Sequence, residues 1–326
     1  MVSITQVDTS PRWRAIDDLA VWKRVIGGGM QLLRDYGIFL KAVCGADVVH
    51  LTTSGRLATV RDIAICTTAR LLKVPVVYHL HFGRIPEIAR AGTREWRFLT
   101  KAMKLADIVL AIDNATANTV RKYLPGLRVE TAPNPIGLDV LPVPVVSQSE
   151  KKTALFLGWV LPTKGVEELL QAWTACALDT WELVLAGPYN PAYHDMLVSR
   201  YQSGSMCFVG ELPNDEAMRL LAGCDLFILP SHTEAFPYVV LEAMTLGKPI
   251  IATQVGAIPE MLAGGCGEIV AAKDVGALAA ALTKLMTHES LRDNLGSRAY
   301  EKAVSCYSLA VVMKSISALW KQLAAR

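Results

Sequence analysis

The chain has 326 residues, of which 52% are hydrophobic and 19% are charged, and its formal net charge is +3. This composition is too apolar for a disordered protein, the length suits two domains, and the small net charge without an aromatic–basic platform argues against a nucleic-acid partner. Residues 1–150 carry 19 Lys and Arg against 13 Asp and Glu, whereas residues 151–326 carry 14 against 17, so we expect the first half to face an anionic partner more readily.

Short apolar strands alternate with helical stretches along the whole chain. Several strands are continuous runs of Val, Ile and Leu without polar alternation, which is typical of parallel strands buried on both faces. The alternation predicts a doubly wound α/β architecture. The predicted strands are Asp47–Thr52, Val74–His81, Asp107–Ile112, Arg128–Ala132, Thr153–Gly158, Leu183–Ala186, Met206–Val209, Asp225–Pro230, Pro249–Thr253 and Gly267–Val270, with a further candidate at Ser3–Val7.

The segment Pro133–Lys152 interrupts this alternation. It contains four prolines and ends in polar residues, so we interpret it as the linker between two α/β domains. We predict an N-terminal domain over residues 1–147 and a C-terminal domain over residues 148–308. Apolar residues recur with helical spacing over Leu309–Leu323, which predicts a last amphipathic helix.

The sequence also bears on where the protein is found. No uncharged stretch reaches the roughly 18–20 residues that a membrane-spanning helix needs. The first residues have no charged leader before an apolar block, so we expect no signal peptide. The seven cysteines form no CxxC pair, which suits reduced thiols in a cytoplasmic protein.

Glu234 and Glu242 stand eight positions apart, just after the predicted strand Asp225–Pro230. Glu242 lies in an otherwise apolar helical sequence, where a carboxylate needs partners or a ligand to offset its desolvation. It could simply be a surface residue of the helix. The two could also be a hydrolase acid/base pair: glycosidases hold their carboxyls roughly 5–9.5 Å apart, and eight helical residues span about 12 Å, which a loop could shorten.

A third interpretation uses the position of the pair at the carboxyl end of a strand, where open α/β sheets bind ligands and helix N-termini favour anions. The two carboxylates could accept hydrogen bonds from two sets of ligand hydroxyls. The backbone N–H groups of Ala235, Phe236 and Tyr238 could meet phosphate between them. A sugar nucleotide, with two polyol groups joined by a diphosphate, has this layout.

Several stretches together resemble retaining GT-B glycosyltransferases of the group 1, or family 4, type. The family's E-x7-E block is matched by LPSHTEAFPYVVLEAMTLGKPIIATQVGAIPEML, and its G-R-L-x-x-x-K-G block by FLGWVLPTKGVEELLQAW. Its earlier strands and interdomain segment are similar to GADVVHL, VPVVYHLHFG, ADIVLAID and PNPIGLD. The likeness covers most of the chain from GADVVHL onward.

The resemblance implies a GT-B fold, in which two Rossmann-like domains face each other across a cleft. It also implies that the last helix, residues 309–326, joins the N-terminal domain. Members of the family usually open with a strand and a glycine-rich loop, and this chain begins after the place where they belong. We therefore expect the N-terminal domain to be incomplete.

The matched residues acquire roles through the resemblance. Glu242 would bind the ribose hydroxyls, and Glu234 the hydroxyls of the donor sugar. Lys164, near Gly158, would neutralise the diphosphate leaving group, and His81 would lie beside the donor sugar. The implied site is therefore catalytic at Glu234, Lys164 and His81, and binds the donor through Gly158, Lys164, Glu234, Ala235, Phe236 and Glu242.

The implied reaction is transfer of a hexose from a nucleotide-diphosphate sugar to an acceptor hydroxyl with retention, as in bacterial polysaccharide or glycolipid assembly. No Asp-x-Asp motif is present, so we expect neither a metal nor a cofactor. The linked motifs disfavour an epimerase or a phosphorylase of the same architecture. Trp159 stands where the family has arginine, and Ala235 and Ala257 replace glycines. The alternative is a catalytically weak or inactive sugar-nucleotide-binding protein.

A candidate acceptor or membrane contact lies in the first half. Five basic residues recur at helical spacing, with Trp96, Leu99 and Met103 on the opposite side. They form either a solvated helix face or a contact with an anionic membrane surface or a lipid-linked acceptor. The second interpretation places the protein peripherally on the inner membrane face. The five residues are Arg90, Arg94, Arg97, Lys101 and Lys104.

Overall fold

The computed structural model of the protein describes residues 2–8, 33–55, 58–138, 151–176, 178–201 and 204–325. The chain divides into two compact units, Met1–Ala132 with Lys314–Arg326, and Pro133–Met313. All ten strands predicted between residues 47 and 270 are present, in two parallel sheets flanked by helices. The predicted α/β fold class is confirmed.

The first unit contains a four-stranded parallel sheet in the order β1-β2-β3-β4. Every residue of β2 and β3 is buried, which explains why their sequences show no polar alternation. The strands are β1 Val49–Thr53, β2 Val76–Leu80, β3 Ile108–Ala111 and β4 Val129–Thr131. The helices between and before them are α1 (residues 33–43), α2 Ala58–Leu71, α3 Ile85–Arg90, α4 Arg94–Leu105 and α5 Asn114–Tyr123.

The basic stripe expected on one helix is divided between α3 and α4, so the prediction of a single helix was wrong. Gly92 adopts a left-handed conformation with φ of 57°, which ends the first helix because glycine carries no Cβ penalty there. The hydroxyl of Thr93 then accepts a hydrogen bond from the N–H of Trp96 and caps α4. Arg90 therefore ends α3, and the other four basic residues lie on α4.

The second unit contains a six-stranded parallel sheet in the order β10-β9-β8-β5-β6-β7. The chain order reverses between β5 and β8, which are neighbours although two strands and three α-helices separate them along the chain. The strands are β5 Lys152–Leu157, β6 Trp181–Ala186, β7 Met206–Gly210, β8 Leu226–Leu229, β9 Ile250–Thr253 and β10 Glu268–Val270. The helices are α6 Val166–Cys176, α7 Pro191–Tyr201, α8 Asn214–Gly223, α9 Tyr238–Thr245, α10 Ile258–Met261, α11 Val275–Thr287 and α12 Glu289–Lys302.

The last helix, α13 Leu309–Ala324, occurs as predicted. From Lys314 onward it belongs to the first unit. Its Trp320 indole donates to a ring nitrogen of His50, and its Gln322 accepts a hydrogen bond from Arg128. These contacts attach the end of the chain to β1 and to the residue just before β4. In the described part of the chain, every helix is too short or too polar to cross a bilayer.

Two other expectations concern irregular segments. Ser3–Val7 forms no strand, and this prediction was wrong: residues 2–8 have no regular structure, and Ile4 is 65% exposed, with no sheet neighbour to cover it. The predicted linker holds no helix over residues 133–138, its residues 139–150 lie outside the described residues, and its last residue, Lys152, begins β5. The predicted domain boundary at 147/148 also lies outside them.

Candidate functional site

The strongest candidate site lies at the reversal of strand order in the second unit. In open α/β sheets the carboxyl ends of the two strands flanking such a reversal form a crevice that binds ligands. Here those strands are β5 and β8. The loop after β5 carries Lys164, and the loop after β8 carries Glu234, so the fold brings together two residues that are 70 positions apart.

Glycine allows the two loops to approach each other closely. The turn Pro162–Lys164 ends at Gly165, whose φ is 68°. A Cβ atom at this position would overlap the carbonyl oxygen of Pro230 at the end of β8. A hydrogen bond of 2.9 Å from the N–H of His232 to the carbonyl of Thr163 joins the same loops. The Lys164 backbone is therefore held against the end of β8.

Lys164 and Glu234 form a charge-assisted hydrogen bond. The ammonium Nζ lies 2.6 Å from Oε1 of Glu234, and the hydroxyl of Ser231 donates to the same oxygen at 2.7 Å. The side chains of Lys164 and Glu234 are 27% and 12% exposed. Two donors on one carboxylate oxygen hold the Glu234 side chain in a fixed orientation.

The loop that carries Glu234 is fixed from a third strand. The hydroxyl of Thr253, the last residue of β9, donates to the carbonyl of Ser231. Gly256 has φ of 55°, and a Cβ atom there would collide with the carbonyl oxygens of Glu234 and Ala235. The next residue, Ala257, donates its N–H to the carbonyl of Ala235 at 2.8 Å. These contacts make the loop a rigid part of the site.

Glu242 lies in the second turn of α9, on a helix whose other face is core. Val240, Leu241, Ala243 and Met244 are fully buried, whereas Glu242 is half-buried and lines a pocket. Burial raises the pKa of this carboxyl above its ordinary value, because desolvation disfavours the charged form. A carboxylate kept at such a cost, with an open side to a pocket, suggests a ligand contact.

The pocket has a volume of about 440 Å³. Four predicted site residues line it together: Gly158, Lys164, Glu234 and Glu242. Ala235 and Phe236 are not among its lining residues; the Phe236 ring is buried against Tyr307, with 5.7 Å between ring centroids. The roles predicted for these two residues use their backbone N–H groups and stay predictions. Further lining residues include Trp159, Gly187, Pro188, Glu211, Leu212, Asn214 and Tyr238.

The charged side chains that line this pocket are mostly acidic. Among the described residues that line it, Lys164 is the one Lys or Arg, and the carboxylates are Glu211, Glu234 and Glu242. Trp159, in the place of the family's arginine, is 45% exposed beside them. Further positive potential comes from the N-terminal end of α9, which begins at Tyr238.

The other predicted residues belong to the first unit. His81 follows β2, and its N–H donates to the carbonyl of Thr53 at 2.9 Å. Its ring lies against that of His79, with centroids 4.0 Å apart. The basic residues Arg90, Arg94, Arg97, Lys101 and Lys104 are exposed, and Trp96, Leu99 and Met103 are buried, as predicted. Within the described ranges, no group of three or more His, Cys, Asp or Glu side chains could hold a metal ion.

Sequence reasoning missed some residues of the site. Glu211, Leu212 and Asn214 follow β7, and the general rule for carboxyl ends of parallel strands could have marked them. Ser231 stood in the quoted motif block without a role. The contact of His50 with His79 and Trp320 has no local signal, because these residues are far apart along the chain.

Comparison with known proteins agrees with this geometry. Residues 142–302 match the family described as glycosyl transferases group 1. A putative teichuronic acid biosynthesis glycosyltransferase, TuaC of Bacillus subtilis, is 23% identical over 315 residues, which cover 89% of this chain and 74% of the relative. The O-antigen chain mannosyltransferase B of Escherichia coli is 25% identical over 223 residues, which cover 63% of this chain and 58% of the relative.

Solved structures show the same fold. The crystal structure of Anabaena HepE in complex with UDP superposes with a TM-score of 0.72 at 20% identity, and covers 88% of this chain and 82% of that one. This structural match extends over both parallel-sheet units, whereas the family match lies entirely within the second. Residues 142–302 thus belong to the glycosyl transferases group 1 family, and the chain has the GT-B fold.

Proposed function

We propose that this protein is a retaining glycosyltransferase that moves a hexose from a nucleoside-diphosphate sugar to an acceptor hydroxyl. The observation that carries the proposal is the convergence of Lys164, Glu234 and Glu242 on one pocket where the strand order reverses. The complex of HepE with UDP and the polysaccharide relatives support a nucleotide donor and a carbohydrate or lipid-linked acceptor.

The donor is expected to lie along the pocket from Glu242 to Glu234. Glu242 accepts hydrogen bonds from the ribose hydroxyls, which compensates the desolvation of its carboxylate. The diphosphate lies at the first turn of α9 and at Lys164, where N–H groups and the ammonium supply positive potential. Oε2 of Glu234 accepts from a hydroxyl of the sugar. His81 is assigned to the sugar by resemblance.

The protein would accelerate the reaction mainly by electrostatic stabilisation of the leaving group. The bond between the anomeric carbon and the phosphate oxygen breaks, the bond to the acceptor oxygen forms on the same face, and the departing phosphate takes the acceptor proton. Negative charge grows on that phosphate, and Lys164 with the N–H groups of α9 stabilises it. We propose that the reaction needs neither a metal ion nor another cofactor.

The alternative is a sugar-nucleotide-binding protein of the same family with little or no transferase activity. This alternative is favoured because Lys164, which lines the pocket, is already bound to Glu234 at 2.6 Å. Trp159, which also lines the pocket, supplies no second positive charge. Binding through Glu242 would persist in such a protein, whereas leaving-group stabilisation would be weak.

A titration followed by a turnover assay distinguishes the two. Purified protein is titrated calorimetrically with UDP, GDP and ADP, and the sugar nucleotides of the base that binds are incubated with carbohydrate and lipid-linked acceptors in EDTA. Proton NMR of the product reports the anomeric configuration. Transfer with retention in EDTA supports the proposal, and inversion contradicts it. Nucleotide binding without hydrolysis or transfer supports the alternative, and absence of all binding excludes both.

The acceptor side is proposed to include a membrane surface. We define the basic face as Arg90 of α3 with Arg94, Arg97, Lys101 and Lys104 of α4, all exposed. Exposed apolar side chains accompany it: Phe98 on α4 is 49% exposed, and Leu71 and Leu72 at the end of α2 are 78% and 48% exposed. The Arg70 guanidinium donates to the carbonyl of Lys104 at 3.5 Å, which places the two helix ends side by side.

Cationic side chains beside exposed apolar ones are typical of surfaces that bind anionic lipid. The test is co-sedimentation with phosphatidylcholine vesicles with and without phosphatidylglycerol. The triple variant Arg94→Glu, Arg97→Glu, Lys101→Glu is expected to lose binding to the anionic vesicles. The matched control is Lys41→Glu, Lys314→Glu, Lys321→Glu, which makes the same change in charge at exposed lysines outside the basic face. Equal loss in both would mean that net charge, and not this face, drives binding.

A further inference from the structure

Three histidines and a tryptophan gather in the first unit. His50 lies on β1, His79 on β2, His81 directly after β2, and Trp320 on α13. His79 is 4% exposed. Buried imidazoles normally occur with satisfied ring nitrogens, so the pattern of their hydrogen bonds is informative.

The hydrogen bonds form a continuous chain. The indole Nε1 of Trp320 lies 2.9 Å from Nδ1 of His50. Nε2 of His50 lies 3.2 Å from Nδ1 of His79, and Nε2 of His79 lies 3.0 Å from the carbonyl oxygen of Ala132. We call this series the histidine chain: Trp320, His50, His79 and the carbonyl of Ala132.

The two ends of the histidine chain fix its direction. An indole N–H can only donate and a carbonyl oxygen can only accept. Nδ1 of His50 must therefore be unprotonated, so the proton of this neutral ring is on Nε2 and is donated to His79. Nδ1 of His79 is then an acceptor, and its Nε2 carries the proton that goes to Ala132. A second proton on either ring would break a bond of the chain.

The surroundings of the two rings also favour the neutral form. Burial lowers the pKa of His50 to about 4, with a smaller effect from His81. Burial, followed by His81 and His50, lowers the pKa of His79 to about 2, against a small opposing effect of the Ala132 carbonyl. Both rings are thus uncharged at neutral pH, with one defined tautomer each.

We propose that Trp320, His50 and His79 are positioning residues that hold the imidazole of His81 in one orientation. The ring of His79, fixed at both nitrogens, is the surface against which the His81 ring packs at 4.0 Å and 58°. The indole N–H of α13 thereby acts on His81 through two histidines. The functional meaning of this arrangement rests on the proposed function, which assigns His81 to the donor sugar.

The histidine chain differs from ordinary core packing because each side chain must donate or accept a particular hydrogen bond. His79 must accept from His50 and donate to Ala132, and a glutamine amide can do both, with its oxygen and its NH2 group. A phenylalanine fills similar volume but can do neither. If His79 served packing alone, His79→Phe would be tolerated better than His79→Gln. The histidine chain predicts the reverse order.

The experiment is two-bond ¹H–¹⁵N NMR of the histidine rings in the full-length protein, in wild type, Trp320→Phe, His79→Gln and His79→Phe. Trp96→Phe is the matched control, since Trp96 is a buried tryptophan of the same unit whose ring contacts Tyr123. We expect Nε2-protonated tautomers for His50 and His79 in wild type. The ring resonances of His81 should shift and broaden in Trp320→Phe and His79→Phe, but keep their wild-type positions in Trp96→Phe and largely in His79→Gln.

Two results would overturn the proposal. A doubly protonated or Nδ1-protonated His50 at neutral pH would exclude the histidine chain. Unchanged His81 resonances in Trp320→Phe, with an altered His50 tautomer, would show that the chain exists but does not position His81. Neither result depends on turnover. A protein with the expected spectra and no transfer from any sugar nucleotide would contradict the proposed function and leave the positioning intact.

Discussion

Nζ of Lys164 lies 2.6 Å from Oε1 of Glu234, across the point where the order of strands in the second sheet reverses. The pair joins the loop after β5 to the loop after β8. The cation proposed for the leaving group and the acid proposed for the sugar are thus one hydrogen-bonded unit, and a ligand has to fit both.

Lys164→Met is expected to reduce transfer strongly and stability little. Removing a donor that stabilises charge in a transition state costs about 10²–10³-fold in kcat. A partly exposed ion pair contributes roughly 0–1 kcal/mol to unfolding. The measurements are kcat with the best sugar nucleotide and a urea unfolding curve. Lys152→Met is the control, since Lys152 is paired with Glu289 at 2.9 Å on the surface; an equal loss of kcat there would contradict the assignment.

Trp159→Arg is expected to strengthen binding of a nucleoside diphosphate. It adds a second cation to a pocket in which Lys164 faces three glutamates. A gain on the order of tenfold at low salt, shrinking as salt screens the charge, is expected. Calorimetric titration with UDP at two ionic strengths measures it, and Trp159→Phe is the neutral control. If the arginine variant bound no better than the phenylalanine variant, the diphosphate would not lie near residue 159.

Glu242→Gln is expected to act in opposite directions on binding and stability. The amide loses acceptor strength toward ribose hydroxyls, which weakens nucleotide binding by about tenfold. Burial raises the pKa of Glu242 in the folded state. Above the pKa that Glu242 has in the unfolded chain, the folded protein therefore loses stability, because it must ionise a buried carboxyl. The uncharged amide of glutamine removes this loss. Titration with the nucleotide and unfolding at neutral pH test both signs. Exposed Glu216→Gln should change neither.

Gly256→Ala tests whether the Glu234 loop must approach the residues after β9. A left-handed alanine costs about 1–2 kcal/mol by itself. At Gly256, with φ of 55°, a Cβ would also collide with two carbonyl oxygens, so we expect the free energy of unfolding to fall by more than that. Gly264→Ala isolates that strain, because Gly264 has φ of 84° and open space around its Cβ position. Chemical unfolding of the two variants gives the difference, and similar losses would mean that the close approach is relaxed in solution.

The histidine chain predicts a loss of stability in mild acid. The folded pKa values, about 4 for His50 and about 2 for His79, lie below the ordinary 6.5. The stability that these two neutral histidines contribute is fully present above pH 6.5. It falls as the pH drops toward 4, because the unfolded chain then binds protons that the folded chain does not. Each group contributes about 1.4 kcal/mol per pH unit in this window. Melting temperatures between pH 7 and 5 should fall less in His50→Gln than in wild type. The exposed His288→Gln is the control, and an identical pH dependence in all three would contradict the depressed pKa of His50.

The sequence alone determined the α/β class, the ten strands, the last helix and the family. These are signals within single segments: continuous apolar runs, helical spacing over Leu309–Leu323, and residue types at fixed distances around Lys164 and Glu234. It misjudged Arg90, because the helix break depends on the left-handed Gly92 and the cap at Thr93. It also misjudged Ser3–Val7, since a short apolar stretch becomes a strand only where a neighbour accepts its hydrogen bonds.

The tertiary structure decided which residues touch. The bond between Lys164 and Glu234 requires β5 and β8 to be neighbours, and the chain from Trp320 to Ala132 requires α13 to return to the first sheet. Hydrogen bonds act over about 3 Å. Along the sequence, however, Lys164 and Glu234 are 70 residues apart, and His50 and Trp320 are 270 residues apart. Such contacts follow from strand order and helix docking, which no local stretch of residues specifies.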